Sequence, residues 1–183
     1  AEFERMQAPR NYRPYSAPGG AQTAIDEAAK LLAHAARPVI IAGGGIKNTG
    51  GADQCIALAE ALNAPVVTSP GHGDAVPFGH PLNAGQMGPR GNIVASRLVK
   101  EADVILALGT RVGFNATFYT YDNINRDAKI IHVELEPTAI GRYFPVEIGI
   151  FADAPTAADQ LRAALGKLSA RGKADAWTEA YKV

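Results

Sequence analysis

Apolar and polar positions along the chain repeat with two alternating periods. Over residues 22–36, Ala24, Ile25, Ala28, Leu31, Leu32 and Ala35 recur at intervals of three and four, one face of an amphipathic helix. Pro38 closes that pattern, and Val39-Ile40-Ile41-Ala42 follows as an unbroken apolar run, as a strand covered on both faces requires. The cycle then repeats. A helix is predicted over 53–62, with Ile56, Ala59 and Leu62 inward, and a strand over 65–68. Another helix over 92–101 leads into the strand 104–108. Strands over 129–135 and 146–151 and a long closing helix over 154–170 complete the series. Strands separated by helices at this rhythm predict an α/β domain with a parallel sheet covered on both faces.

The ends of the predicted strands carry the chemistry. The first ends in Gly43-Gly44-Gly45, the second in Thr68-Ser69-Pro70-Gly71-His72-Gly73 and the third in Gly109-Thr110-Arg111. The fourth ends in Glu134-Leu135-Glu136-Pro137 and the fifth in Ala152-Asp153-Ala154. Ligands of open α/β sheets bind outside the carboxyl ends of the strands, so these small, hydroxyl, cationic and acidic groups predict one polar slot. Glycine after a strand lets backbone N–H groups approach an anion, but it also makes an ordinary tight turn. The dinucleotide fingerprint G-x-G-x-x-G fails, because Asn48 stands at the third glycine position. The P-loop pattern fails as well, with Gly51-Ala52 where Lys-Ser/Thr is required. Asn48 or Thr49 is a natural helix N-cap. Arg111 either pairs with a carboxylate or grips a phosphate through its fork. Asp153 either caps the following helix or accepts bonds from a ribose or flavin-type donor. Glu134 and Glu136 flank Leu135 and point to opposite faces, so they are not an acid/base pair. His72 and His80 are too isolated for a metal site. The aromatic stretch 118–123 is read as a pocket lining, a subunit contact or buried loop packing.

Composition narrows the classes. Lys plus Arg (18) balances Asp plus Glu (18) in 183 residues, so no global field attracts nucleic acid or an anionic membrane. The single cysteine, Cys55, cannot form an internal disulfide; it is read as a buried small hydrophobe in a reducing, cytoplasmic compartment. Pro9, Pro14 and Pro18 mark residues 1–20 as an extended linker. The absence of an initial Met and this polar start suggest a piece of something longer. The residues alone thus predict a nucleotide-binding domain without a catalytic set, and a stand-alone NAD- or FAD-binding module is one form of that.

Five segments in this order add to the picture: RPVIIAGGGI, ALAEALNAPVVTSPGHGDAVPFGHPLNAGQMGPRG, EADVILALGTRV, AKIIHVELEPTAIGR and GIFADA. Together they closely resemble the central domain of thiamine-diphosphate-dependent enzymes, especially the acetolactate synthase branch. That branch also holds glyoxylate carboligase, sulfoacetaldehyde acetyltransferase and oxalyl-CoA decarboxylase. The resemblance implies a Rossmann-like three-layer domain with a six-stranded parallel sheet over residues 21–171. It also implies linkers over 1–20 and 172–183, leaving a pyrimidine-binding domain and approaching a diphosphate-binding domain. The implied parent, a homodimer or homotetramer, decarboxylates a 2-keto acid and forms a carbon–carbon bond. Thiamine diphosphate and Mg2+ are implied to sit outside this chain, which alone would be inactive. Carried over by position, the cofactor-contacting residues are Gly43, Gly44, Gly45, Thr68, Ser69, Gln86, Met87, Gly88, Gly109, Thr110, Arg111, Glu134, Leu135, Asp153 and Ala154. The implied occupant is FAD or ADP. Flavin-binding synthases continue after the strand-three arginine with an acidic pair and a second arginine. This chain has Val112-Gly113-Phe114-Asn115 there, so the expectation is that it retains no FAD by itself.

Overall fold

The computed structural model describes residues 16–168 and Trp177. Its strands are β1 (Pro38–Ala42), β2 (Val66–Thr68), β3 (Asn83–Gln86), β4 (Val104–Leu108), β5 (Lys129–Glu134) and β6 (Ile148–Phe151). Its helices are α1 (Gln22–His34), α2 (Gly44–Lys47), α3 (Ala52–Leu62), α4 (Ile93–Glu101), α5 (Phe114–Thr117) and α6 (Ala154–Lys167). The strands form one sheet in the order β3-β2-β1-β4-β5-β6, every neighbouring pair parallel.

The apolar runs lie at the centre of that sheet because both their faces are covered. All five residues of β1 and all five of β4 are buried. Ile40, Ala42, Leu106 and Leu108 face one layer, made by Leu32 of α1, Leu58 of α3 and Leu161 of α6. Val39, Ile41, Ile105 and Ala107 face the other, made by Ala95, Leu98 and Val99 of α4 with Trp177. Trp177 also donates its indole N–H to Pro38 O at 3.1 Å. Each fully buried Ile or Leu contributes about 1.5–3 kcal/mol relative to exposure, so the period-two split of these runs organises both layers.

Element ends follow local chemistry. The helix expected over 22–36 stops at His34, because the Asp103 carboxylate accepts from the N–H groups of Ala36 and Arg37, each at 2.8 Å. Asn63 closes α3 in the left-handed region (φ 46°), a conformation asparagine tolerates. Asn92 caps α4 by accepting from Val94 N at 2.7 Å. Asn48 and Thr49 cap no helix start. The chain coils into α2 directly after Gly43, so Asn48 ends that turn and Gly51 precedes α3. The hydrophobic pattern does not predict β3, since Asn83-Ala84-Gly85-Gln86 has no apolar alternation. An edge strand needs none: Val66 N to Leu82 O at 2.7 Å and Met87 N to Thr68 O at 3.0 Å hold it in place. The expected end of the last helix, at 169–170, and both outer linkers except Trp177 and residues 16–20 lie outside the described residues. Within that short stretch, Pro18 O accepts from Asp153 N at 2.9 Å and Gly20 N donates to Gln160 Oε1 at 2.8 Å.

The strand order determines where a ligand can sit. From β1 the chain runs outward through β2 and β3, then returns across the sheet to β4 on β1's other side. Loops leaving the carboxyl ends of β1 and β4 diverge, which opens a crevice at that switch point.

Candidate functional site at the strand ends

The three consecutive glycines do two different jobs. Gly43 N donates to Leu108 O at 3.1 Å and Gly45 N to Gly109 O at 2.8 Å, stitching the exit of β1 to that of β4. A Cβ on Gly43 would stand 2.4 Å from Gly109 O, and one on Gly45 would stand 2.7 Å from Gly109 Cα. Gly109 itself is left-handed, at φ +62°. These three positions are glycine because backbone packs on backbone. Gly44 differs: a Cβ there would meet the His72 ring, its Nε2 at 2.8 Å. Gly44 faces the space beside that ring rather than another backbone.

That space is a cavity of about 480 Å3 above the switch point, within the ~300–1,000 Å3 range of small-molecule sites. Gly44, Gly45, Ser69, Gly109, Thr110, Arg111 and Glu134 line it, joined by Asn48, Pro70, His72, Gly113, Phe114, Asn115 and Ala116. Four of the five strand ends expected in one slot therefore converge here, whereas the fifth, at Asp153, does not line the cavity. Gly43 lies beneath, buried. Thr68 is fully buried, and its hydroxyl has no hydrogen-bond partner among the described residues. Gln86 lines an adjoining cavity of about 380 Å3 with Pro70, Gly71, Pro89, Arg90, Phe114, Asn115 and Phe118, and accepts from Gly71 N at 3.3 Å. Met87 is buried, and Gly88 donates its N–H to Ser96 Oγ at 3.2 Å. Leu135 is exposed beyond β5. Asp153 is buried and caps α6, its Oδ2 accepting from Thr156 N at 3.1 Å and Thr156 Oγ1 at 2.7 Å. Ala154 packs its methyl against Gly45 and Gly109.

The slot's charge comes from Arg111. Among the described residues no carboxylate lies within ion-pair distance of it. Glu136 is anchored elsewhere: the hydroxyl and amide of Thr138 donate to it and hold its carboxyl below the usual range, with the Arg111 charge adding to the effect. Glu134 contributes a carboxylate to the wall and accepts from Leu135 N at 2.9 Å. A guanidinium with no ion-pair partner among the described residues, a small-residue floor and a carboxylate in the same wall suit a pyrophosphate joined to a polyol.

His72, set aside in the sequence as a polar loop residue, stands on this wall. Its Nδ1 lies 3.1 Å from both Ser69 Oγ and Pro70 O. Because a carbonyl only accepts, Nδ1 carries the hydrogen and Nε2 is turned toward Gly44. Its position three residues past a strand-end serine was the available signal. The aromatic stretch splits: Tyr121 packs on Phe144, whereas Phe118 and Tyr119 remain roughly half exposed and stack around Phe114. Cys55 is fully buried and its thiol is pushed up to about 12 by burial, which makes it an inert core side chain.

Comparison with known proteins decides the family. Residues 25–161 match the family described as "Thiamine pyrophosphate enzyme, central domain". The chain belongs to that family. Sulfoacetaldehyde acetyltransferase of Roseovarius nubinhibens is 43% identical over 82% of this chain and 25% of its own length. The enzyme of the same name from Castellaniella defragrans is 42% identical over 79% of this chain and 24% of its own. A probable acetolactate synthase large subunit of Methanocaldococcus jannaschii is 37% identical over 85% of this chain and 26% of its own. This thiamine pyrophosphate enzyme central domain thus spans about a quarter of the length of the curated relatives it matches. Among its described residues no group of His, Cys, Asp and Glu could hold a metal ion. No helix there is long and apolar enough to cross a membrane.

Proposed function

We propose that this central domain binds the pyrophosphate of an adenine nucleotide, ADP or the corresponding half of FAD, in the strand-end slot. In its parent it acts as a scaffold between pyrimidine- and diphosphate-binding domains. The observation that carries this reading is the slot at the β1–β4 switch point, with Gly44 on its floor and Arg111 free of any described carboxylate. The phosphates lie between Gly44 and Arg111, and Glu134 accepts from a ribose hydroxyl. The parent is an acetolactate synthase-like enzyme, a cytoplasmic homodimer or homotetramer that decarboxylates a 2-keto acid and joins the resulting fragment to an acceptor. Thiamine diphosphate with Mg2+ supplies the carbanion-stabilising chemistry there. The described residues of this chain offer no metal-ligand group for it, so no step of that reaction is assigned to them.

A second reading has support of its own. Identity to the two sulfoacetaldehyde acetyltransferases, 42% and 43%, exceeds the 37% to the acetolactate synthase. The parent would then transfer an acetyl unit, with ADP or no nucleotide in this domain.

Calorimetry of the 183-residue chain with ADP tests the nucleotide reading, and heat with a one-to-one stoichiometry is expected. No binding would sink it. The same chain, given thiamine diphosphate, Mg2+ and pyruvate, is expected to consume no pyruvate and, after gel filtration, to show no visible flavin absorbance. Turnover would overturn the scaffolding role, and a retained flavin band would show a complete FAD site in this domain alone.

A further inference from the structure

The turn that presents Arg111 is under strain and lies past the end of the sheet's hydrogen bonding. The last ladder bond of this region is Gly109 N to Val133 O at 2.9 Å. Beyond it, Gly109 takes φ +62° and Val112 takes φ 48°. The left-handed region is foreign to a β-branched residue, so surrounding contacts must hold this turn. Arg111 sits between these two positions, exposed, with no strand partner to fix it.

One buried side chain supplies the missing contact. His132 lies on β5 opposite Ala107 of β4, on the sheet face lined by Ile105 and Ile130, and is 3% exposed. Its Nε2 stands 2.8 Å from Thr110 O, and its Nδ1 stands 3.3 Å from Gly141 N. A carbonyl only accepts and an amide only donates, so the ring is neutral with its hydrogen on Nε2. Burial favours that neutral form by lowering the ring's affinity for a second proton. His132 and Gly141 also share a small cavity of about 10 Å3 with Arg111 and Val112, directly behind the turn. On the far side, Tyr143 stacks on Tyr119 at 4.5 Å, and Tyr119 on the slot-lining Phe114 at 5.5 Å. The same imidazole thus ties the cationic turn to β5 and accepts from Gly141, two residues before Tyr143.

We infer that His132 is a positioning residue: by donating to Thr110 O it holds the Gly109–Val112 turn so that Arg111 points into the slot. The inference rests on the nucleotide reading above for its binding consequence. His132 touches no ligand; it acts through Arg111. A purely structural histidine would change stability alike in any background, whereas a positioning one matters only while Arg111 is present.

The test is a double-mutant cycle on the 183-residue chain, read as ADP affinity by calorimetry. His132→Leu keeps the apolar volume and removes the donor; His132→Gln keeps a donor at the Nε2 position. H132L is expected to weaken ADP binding about tenfold, and H132Q to restore most of it. In an R111A background, H132L is expected to cost nothing further. Equal losses in both backgrounds, or no loss in H132L, would overturn the inference. If the wild-type chain binds no ADP, the nucleotide reading fails and the ligand-free arm decides the positioning role. Imidazole nitrogen shifts are expected to show hydrogen on Nε2, and amide relaxation to show Gly109–Gly113 rigid in the wild type, mobile in H132L and rigid again in H132Q. An unchanged turn in H132L, or hydrogen on Nδ1, would overturn the inference without any ligand.

Discussion

The division of labour among Gly43, Gly44 and Gly45 yields a prediction that separates packing from binding. In Gly43→Ala the new methyl would lie 2.4 Å from Gly109 O and 2.5 Å from Thr110 Cβ, about 1 Å inside ordinary contact. Neither neighbour can swing aside, because Gly109 O already accepts from Gly45 N at 2.8 Å. Overpacking of this kind costs ~1–3 kcal/mol, and spoiling that hydrogen bond adds about 1. The backbone of Gly43 (φ −117°) suits alanine, so reduced freedom of the unfolded chain returns about 0.4–1 kcal/mol. The net is about 2 kcal/mol of destabilisation, a fall in melting temperature of roughly 4–8 °C. Gly44→Ala is the control. Its methyl presses on the His72 ring and makes ordinary contact with Asn48 Nδ2 at 3.5 Å, so the loss is the ring's contact to Ser69, about 0.5–1.5 kcal/mol, against a similar gain from the unfolded state. Its stability should lie within about 1 kcal/mol of wild type, while its methyl narrows the slot and weakens ADP. Urea titration followed by circular dichroism measures both variants. Equal destabilisation by the two substitutions, or a Gly43→Ala chain as stable as wild type, would refute this division.

Two further outcomes follow from the slot and its support. Arg111→Ala should weaken ADP binding by about 1.5–3 kcal/mol, roughly ten- to a hundredfold, and leave the melting temperature unchanged because no described carboxylate pairs with it. Unchanged affinity in calorimetry would reduce Arg111 to a surface cation. For His132, burial lowers the folded-state pKa below the ordinary 6.5, against a favourable hydrogen bond to Thr110 O and the nearby Glu134 charge. The unfolded state therefore binds the proton first. The contribution is complete above pH 6.5 and is lost as pH falls through the lower folded value, at a slope of up to about 1.4 kcal/mol per pH unit. Stability measured between pH 6.5 and about 5 should show this fall in the wild type and lack it in H132Q; identical profiles would refute it.

Much of this domain is written in its local chemistry. Unbroken apolar runs such as Val39–Ala42 and Val104–Leu108 demand burial on both faces, and helices spaced between them can supply it only around a parallel sheet. Asn92 and Asp153 start their helices as capping residues do anywhere, and the five strand-end signatures sufficed to mark the family. The resemblance implied a sixth strand without placing it; the structure puts it at Asn83–Gln86, where the pattern hides it because an edge strand made of Asn-Ala-Gly-Gln is held by main-chain bonds to β2. Tertiary structure alone decided which glycines are packed and which faces the slot, since that depends on the approach of Gly109, some sixty-five residues away. It decided the histidines as well. His72 and His132 look alike as lone polar residues, yet one loop folds over Gly44 while the other ring is buried by its register opposite Ala107. Local sequence sets periodicity and caps because those interactions span only a few residues. The cation, its supporting imidazole and the floor beneath them meet only when β1, β4 and β5 pair side by side.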